Sequence, residues 1–430
     1  MSMELKNLKG TRDFMKNEQR VRNEIINKLQ QVFENYGYEP IETPMVCMYD
    51  ILASKYAGGD EILKEIYKFK DQGQRDIALR YDLTVPFARL IGMNADLRMP
   101  FKRYEIGKVF RDGPVKPGRV REFIQCDVDM VGVKSMMAEA ELMVMASDIY
   151  KLLGLDVYIA FNNRKLLSGI IRTAKVSEEL ERSVILSLDK LEKIGQGGVS
   201  QELIEKGLSE EQIVKLFSLL MMNEKDLLKK LGSNPLNELI EQGIKELKEL
   251  EYYIDSVGIK NICKFSPYLA RGLEIYTGTV FEIFLTDGSI TSSLSGGGRY
   301  DNIVGAFLNN GKEYPAVGIT FGLDVIYLAL EAKGFMIKEV PPAQVYIIPI
   351  GTESEAFKLT ANLRRRGVSA DIEMDRRKLR KSLEYASKQG IPFVIVIGEE
   401  EIKNGKVKIR NMETGSEMET NLEEVEFFFK

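Results

Sequence analysis

Basic side chains gather around a Pro-Gly turn that joins two strand-like segments. The stretch FRDGPVKPGRVREF carries four of them, Arg111, Lys116, Arg119 and Arg121. A guanidinium can hold two phosphate oxygens at once, so cations on a hairpin loop could bind a polyanion such as a nucleotide triphosphate. A solvated hairpin tip is the alternative, because charge clusters are often only exposed surface.

Polar side chains alternate along the segment that follows this loop. Gln125, Asp127 and Asp129 lie two residues apart, which places them on one face of a strand. Asp82 and Thr84, with the same spacing, could add a second acid from a neighbouring strand. An amide and acids beside a basic loop indicate a site for a small cationic or amine-bearing substrate. A hydrogen-bonded, solvated sheet face is the alternative.

Three consecutive glycines stand in the strand-like stretch SLSGGGRYD. Glycines within a sheet remove side chains where a ligand or another backbone must come close. A β-bulge or a flexible hairpin would give the same pattern. The glycine run therefore marks a candidate site only together with the polar segments.

The composition excludes several kinds of chemistry. The 430 residues include no histidine, which rules out Ser-His-Asp triads, HExxH zinc sites and imidazole bases. Three cysteines without CxxC spacing predict neither a disulfide framework nor a thiolate zinc site. The formal net charge of -4 predicts no basic coat, although a local basic patch could still hold a nucleic acid.

The sequence shows neither a membrane span nor a secretion signal. No apolar run approaches the roughly 20 residues that cross a bilayer, and the N-terminus lacks the apolar core of a signal peptide. We therefore expect a cytoplasmic protein with no membrane partner.

Hydrophobic periodicity predicts an α+β organisation for the first three quarters of the chain. Apolar residues at helical spacing predict a helix over 17–36, and strand-like segments then alternate in a way that favours an antiparallel sheet. Between Ser177 and Ser256 the chain is rich in Leu, Glu and Lys, which indicates a helical insertion, predicted at 171–256. Strands resume after it, so the core is predicted at 1–170 and 257–333.

The end of the chain has the pattern of a separate small domain. A proline-containing linker is predicted at 334–343, and 344–430 then alternates strand and helix, which predicts a mostly parallel, helix-covered sheet. Basic clusters at 364–366 and 375–382 stand beside its helices. Such clusters fit either phosphate contacts or solvated helix faces.

Taken together and in this order, these segments resemble the signatures of the histidyl-tRNA synthetase family of class II aminoacyl-tRNA synthetases. The resemblance covers nearly the whole chain. Its segments are Gly10-Thr11-Arg12-Asp13, the helix and Pro44 of motif 1, RYDLTVPFAR, motif 2 from Arg103 to Gly132, LARGLEIYTG, SLSGGGRYD and the C-terminal domain.

The resemblance implies a fold and a reaction. The fold is a catalytic domain with a mixed antiparallel sheet, a helical insertion and a C-terminal α/β anticodon-binding domain. The reaction joins L-histidine to tRNA(His) through a histidyl-adenylate, with ATP as substrate and Mg²⁺ accompanying it. A homodimer, with motif 1 at its interface, is expected by the same resemblance.

The resemblance also implies roles for individual residues. Arg111 matches the arginine that grips the α-phosphate, Arg119 and Arg121 lie in the ATP-contacting loop, and Phe123 matches the ring stacked on adenine. Residues that match the histidine-binding groups are Asp82, Thr84 and Gln125 for the amino end, and Asp129 and Tyr276 for the imidazole. Arg271 matches the arginine at the reacting carboxylate, so the expected catalytic residues are Arg111, Gln125 and Arg271.

Two positions depart from the family pattern. Where the family commonly has RGLDYY, Ile275 here replaces one aromatic wall of the histidine pocket. Motif 3 usually ends in Gly-Leu-Glu-Arg, but this chain has Gly322-Leu323-Asp324-Val325 and so lacks the arginine expected at the terminal phosphate. A second hypothesis follows, in which a catalytically impaired relative binds histidine or tRNA as a regulator.

Overall fold

The chain forms two compact units. The computed structural model describes residues 4–54, 63–94, 96–115, 119–271, 275–308, 313–334 and 340–429. Its internal contacts divide the chain into Met1–Phe335 and Met336–Lys430. This division falls in the predicted linker, of which 335–339 lie outside the described residues. No described helix is long and apolar enough to cross a membrane.

An eight-stranded sheet is the base of the first unit. Its strands are β1 (Glu39–Pro40), β5 (Phe101–Phe110), β6 (Glu122–Val131), β7 (Val157–Asn163), β8 (Cys263–Phe265), β9 (Thr279–Leu285), β10 (Ser295–Arg299) and β11 (Ala316–Gly322). They lie in the order β1-β5-β6-β11-β10-β9-β7-β8. Two pairs, β1 with β5 and β7 with β8, are parallel and the others antiparallel, so the predicted mixed antiparallel sheet is confirmed.

A smaller sheet and several helices complete the core of this unit. The sheet has the order β2-β4-β3, with β2 at Val46–Met48, β3 at Lys68–Lys70 and β4 at Asp76–Leu79. The helices are α1 (Asn17–Asn35), α2 (Tyr49–Leu52), α3 (Thr84–Met93), α4 (Met137–Leu152), α11 (Asn302–Leu308) and α12 (Leu323–Ala332).

One face of the large sheet is closed by helix α1. The helix buries an apolar stripe, as its spacing predicts, and Phe33 packs against Tyr104 of β5 and Phe321 of β11. Side chains alternate between the faces of a strand, so the neighbours of Tyr104 and Phe321 point away from α1. The polar residues of β5 and β6 therefore occupy the opposite face.

A group of helices leaves the sheet after β7 and returns to it at β8. It comprises α5 (Arg164–Thr173), α6 (Glu178–Leu188), α7 (Leu191–Glu205), α8 (Glu210–Leu220), α9 (Glu224–Ser233) and α10 (Glu238–Ser256). The first helix begins seven residues before the predicted boundary at 171. The insertion 171–256 as a domain of its own stays a prediction.

The second unit is a five-stranded sheet with helices. Its elements are β12 (Val345–Pro349), α13 (Glu353–Arg365), β13 (Ala370–Ile372), α14 (Leu379–Lys388), β14 (Phe393–Ile397), α15 (Glu399–Asn404), β15 (Lys406–Asn411) and β16 (Glu417–Asn421). The first three strands pair in parallel, as the alternation predicts. An antiparallel hairpin, β15 and β16, extends this sheet and was not predicted. The alternation of exposed charges with buried Val407 and Ile409 in β15 was the available signal, whereas β16 is exposed along most of its length.

Helix α13 offers a matched test of the second core. Leu363 is buried in the cluster with Val345 and Ile395, whereas Phe357 on the same helix is 58% exposed. Leu363→Ala should lower the free energy of opening of the β12 amides by about 2–5 kcal/mol, since it leaves a cavity. Phe357→Ala should change it by less than about 0.5 kcal/mol. Hydrogen exchange of the full chain measures both, and equal effects would contradict this packing.

Candidate active site

A cavity of about 540 Å³ opens on the polar face of the large sheet. This volume suits a small molecule. Most of the residues predicted from the sequence line it, namely Asp82, Thr84, Arg111, Arg119, Phe123, Gln125, Arg271 and Tyr276. These residues come from four separate parts of the chain, and the fold brings them together around one cavity.

Arg111 is fixed where β5 ends. Its Nε donates to the carbonyl oxygen of Tyr81 at 3.1 Å, and its guanidinium lies 5.2 Å from the centre of the Phe123 ring. Burial lowers the pKa of Arg111, but a guanidinium stays charged at any physiological pH. The site therefore presents a fixed cation beside an aromatic face.

Asp82 and Thr84 stand at the start of helix α3. The Asp82 carboxylate accepts a hydrogen bond from the backbone N–H of Val85 at 3.1 Å, and Thr84 is the first residue of the helix. Burial raises the pKa of Asp82 to about 6, although Arg111 opposes the shift. Asp82 is thus mostly ionised at neutral pH and becomes neutral in mild acid.

Asp129 lies beneath the cavity and is held from two sides. The Tyr300 hydroxyl donates to its Oδ1, and Arg103 Nη2 lies 2.6 Å from its Oδ2. Burial raises the pKa of Asp129, and these two partners oppose the shift. Arg103 and Tyr300 were not predicted as site residues.

A second ion pair lies behind this one. Arg103 is 3.7 Å from Glu105, which pairs with Arg80 at 2.7 Å and accepts from the Thr43 hydroxyl at 2.9 Å. Arg103 and Glu105 alternate on β5 directly opposite Asp129 and Asp127 of β6. That matching alternation of charges in two adjacent buried strands was the signal available in the sequence, because buried charges must be paired.

The glycines of β10 make room for side chains of the protein itself. A Cβ on Gly296 would lie 1.7 Å from Arg271 Nη1, and a Cβ on Gly298 would lie 2.8 Å from Tyr276. Gly318 of β11 has the same role, since its Cβ would lie 1.9 Å from Asp129 Oδ1. The glycine run thus permits the arginine and the phenol to lie flat on the sheet.

Arg271 and Tyr276 lie together over these glycines. The guanidinium is 5.6 Å from the Tyr276 ring centre and 3.7 Å from Glu282 Oε1. Its Nη1 has no hydrogen-bond partner among the described residues. Ile275, where the family commonly has an aromatic residue, lines the cavity. Residues 272–274, between Arg271 and Ile275, lie outside the described residues.

The arginines of the basic loop differ in whether they line the cavity. Arg119 pairs with Glu65, and both line the cavity. Arg121 instead lies 3.1 Å from Asp112 and is not among the described residues that line it. Lys116 lies outside the described residues.

The end of motif 3 gives the cavity an apolar corner. Val325 lines it beside Leu294 and Asp324. Asp324 is not free, because its Oδ1 is 2.5 Å from Arg22 of α1 and its Oδ2 accepts from the backbone N–H of Ile124. Among the described residues lining the cavity, the cations are Arg111, Arg119 and Arg271.

Family comparisons agree with this arrangement. The model of the family described as histidyl-tRNA synthetase matches residues 10–326, and that of the anticodon binding domain matches 344–430. The chain belongs to the histidyl-tRNA synthetase family. The two matches meet near the division between the compact units, and the first spans every site residue described above.

Individual relatives agree over the full length. The chain is 52% identical over 425 residues to histidine--tRNA ligase 1 of Bacillus thuringiensis subsp. konkukian, covering 98% of each. It resembles the crystal structure of histidyl-tRNA synthetase from Nostoc sp. PCC 7120, with a TM-score of 0.82, 30% identity and coverage of 100% and 99% of the two chains.

A third likeness shows the fold alone. An ATP phosphoribosyltransferase regulatory subunit/histidyl-tRNA synthetase from Bacillus halodurans C gives a TM-score of 0.76 at 20% identity. The match covers 93% of this chain and 99% of that one.

The pKa of Asp82 provides a test of the pocket wall. Its carboxyl carbon should titrate with a midpoint of about 6 in the ligand-free protein. Asp129→Asn should lower this midpoint, because a neighbouring negative charge that raises the pKa is removed. Arg111→Met should raise it, since a cation that favours the carboxylate is lost. NMR of carboxyl-labelled aspartate measures both shifts, and a midpoint unaffected by either change would place Asp82 elsewhere.

The position of Arg271 can be tested through a glycine. Gly296→Ala should push the guanidinium off the sheet, because the new methyl would overlap Nη1. Gly322→Ala, at the end of neighbouring β11, is the control, since its Cβ would have only ordinary contacts starting at 3.5 Å. Crystal structures of both variants decide the matter. An unmoved Arg271 in the first would contradict the packing described here.

Proposed function

We propose that this chain joins L-histidine to tRNA(His) through a histidyl-adenylate intermediate. The convergence of Arg111, Arg271 and Gln125 on one cavity, with Asp129 held beneath it, supports the proposal most directly. The family and the relatives named histidine--tRNA ligase support the same reaction. The chain is thus a class II aminoacyl-tRNA synthetase.

The first step needs opposed cations more than it needs a base. Attack of the histidine carboxylate on the α-phosphate of ATP brings two anions together, so fixed positive charge and accurate positioning lower the barrier. Arg111 would hold the α-phosphate and Arg271 the reacting carboxylate. A chain without histidine residues supplies both cations.

Histidine is recognised from its two ends. Asp82, Thr84 and Gln125 would accept hydrogen bonds from the amino group, and Asp129 and Tyr276 would read the imidazole. An amino acid without the ring nitrogens would leave the Tyr276 hydroxyl and the Oδ2 of Asp129, which has no hydrogen-bond partner among the described residues, without a hydrogen bond from the ligand. Such a loss is worth up to roughly 10⁴-fold in discrimination.

ATP is taken up together with Mg²⁺, as is general in this class. The adenine ring would stack on Phe123, which already faces the Arg111 guanidinium. Arg119 would meet the phosphates after leaving Glu65, and Arg121 would join it only if the loop turns it away from Asp112. No cation replaces the motif 3 arginine among the described residues beside Val325, so the terminal phosphate depends on Arg119 and its loop.

The second unit is proposed to hold the anticodon of tRNA(His). It matches the anticodon binding domain family, and its basic cluster at 375–382 is well exposed, with Arg376 and Arg380 at 81% and 90%. These guanidinium groups would contact phosphates and give salt-dependent affinity. Bases would be read by other groups of the same unit.

A homodimer is proposed with motif 1 at its interface. Apolar side chains after Pro44 are partly exposed in the isolated chain, including Met45, Val46 and Met48 at 46–49%, and Phe69 of the same small sheet at 43%. An exposed apolar patch of this kind marks an interaction surface. A second copy of the chain would cover it.

A regulatory role is the second candidate function. The valine at position 325 favours it, because the corner of the site where the family has an arginine is apolar. Such a protein would bind histidine or tRNA without making the adenylate. The complete set of Arg111, Gln125, Asp129 and Arg271 favours the enzyme.

Histidine-dependent ATP–pyrophosphate exchange separates these candidates. The purified protein should catalyse exchange, and Arg271→Ala should reduce its rate roughly 10²–10³-fold, as expected when a donor to developing charge is removed. Arg380→Ala, which changes an exposed guanidinium of the second unit, should leave exchange unchanged. Absence of exchange by the unaltered protein at saturating histidine would rule out the enzyme and leave the regulator.

A further inference from the structure

One acid on the polar face of β6 has no role in the scheme above. Asp127 lies between Gln125 and Asp129, and its side chain is 1% exposed. The Thr320 side chain hydrogen-bonds its carboxyl, but Oδ1 is buried without a hydrogen-bond partner among the described residues. A buried polar atom left unpaired is costly, which points to a missing donor.

The sheet register places Asp127 in line with Arg271. Asp127 of β6 is opposite Thr320 of β11, and Thr320 is opposite Gly296 of β10. Directly opposed residues point to the same face, and both Thr320 and Gly296 line the cavity. Because the Arg271 guanidinium lies over Gly296, the carboxylate and the guanidinium stand on either side of Thr320.

Opposite charges across a gap suit a zwitterion. Adjacent strands are about 4.8 Å apart, so the backbones that carry Asp127 and Gly296 are separated by roughly 10 Å. Over Thr320, which lines the cavity, the head group of an α-amino acid would place its carboxylate toward Arg271 and its ammonium toward Asp127. The neighbouring row of the sheet carries Asp129 and, over Gly298, Tyr276, which leaves the side chain of the amino acid beside them.

The charges around Asp127 favour the same ligand. Arg103, the cation nearest in the network, already faces Asp129 at 2.6 Å and Glu105 at 3.7 Å. One guanidinium is therefore shared among three acids, of which Glu105 has a second partner in Arg80. Burial raises the pKa of Asp127, and Arg103 offsets this only in part. An ammonium bound beside Asp127 would lower its pKa again and favour the ionised carboxylate.

We propose that Asp127 is a further histidine-binding residue, whose Oδ1 accepts a hydrogen bond from the α-ammonium group of the substrate. The proposal rests on the proposed function and adds to Asp82, Thr84 and Gln125 a buried acceptor next to Gln125 and Thr320, which line the cavity. The ammonium has three N–H donors, so it can donate to Asp127 and to the other acceptors of the site at once.

Binding of three ligands by Asp127→Asn tests the proposal. The asparagine keeps the size of the side chain and removes its charge. Isothermal titration with L-histidine and with histidinol, which keep the amino group, should show affinities reduced roughly 10- to 100-fold. Imidazolepropionate, which keeps the ring and carboxylate but lacks the amino group, should bind the variant and the unaltered protein within about twofold of each other, because the ion pair weakened by the substitution is one it never makes.

Other outcomes overturn distinct claims. Equal weakening of all three ligands would show that Asp127 only supports the fold of the pocket, and unchanged histidine affinity would show that it does not touch the substrate. Asp129→Asn is the contrast, since loss of a ring contact should weaken all three. Failure of the unaltered protein to bind histidine would instead overturn the proposed function.

A measurement on the unaltered protein covers the case in which the variant does not fold. In a crystal structure with L-histidine, the α-nitrogen should lie within about 3.2 Å of Asp127 Oδ1. A separation beyond hydrogen-bonding distance, or a water in that position, would overturn the proposal. The same structure would show whether the carboxylate meets Arg271.

Discussion

The pairing of charges buried in one sheet is the constraint on which the site depends. Arg103 lies fully buried between Asp129 and Glu105, and Arg80 completes the row. Removing any one member would leave a charge in a medium that cannot solvate it, at a cost of several kcal/mol. Such a network has one good arrangement, and it keeps the carboxylate of Asp129 beneath the cavity before any ligand arrives. Tyr300 adds a neutral donor to the Oδ1 of that carboxylate.

The site also needs space above the sheet, and glycines provide it because they have no side chain. Gly296, Gly298 and Gly318 lie on adjacent strands and leave room for other side chains on the polar face of the sheet. Arg271 and Tyr276 come from another segment of the chain and lie over Gly296 and Gly298. A guanidinium and a phenol are thereby brought level with acids that belong to β6. Preorganised groups of this kind need little rearrangement when charge develops, which is the usual basis of catalysis by fixed dipoles and cations.

The chain departs from its family where the terminal phosphate of ATP is expected. Asp324 is engaged by Arg22 and by the backbone of β6, which joins α1 to the pocket wall, and Val325 follows with no charge to offer. Of the cations that line the cavity among the described residues, Arg111 is held by the Tyr81 carbonyl oxygen and Arg119 is paired with Glu65. Under the proposed function, Arg111 and Arg271 would serve the bond that forms, and Arg119 would serve the leaving group.

The sequence by itself determined an antiparallel sheet, helix α1, the parallel part of the second unit and the polar face of β6, because each depends on local periodicity that the residues display directly. That the sheet is mixed was implied by the resemblance to the family. It also indicated the family, and with it the candidates that line the cavity. The antiparallel hairpin at the end of the second unit was missed although β15 alternates charged and buried residues, because β16 is exposed along most of its length and shows no apolar face.

Only the tertiary structure decided which polar residues act together. Tyr300 and Arg80 are far from Asp129 along the chain, and nothing in their own segments indicates that one binds Asp129 and the other binds Glu105. The charges of β5 alternate with those of β6 in the sequence, but only the register shows that Arg103 faces Asp129. The use of the glycines was likewise settled by the fold, because what a missing Cβ makes room for depends on which segment packs over it. The register across three strands places Asp127 in line with Gly296, over which the Arg271 guanidinium lies. No single segment of the sequence contains this information.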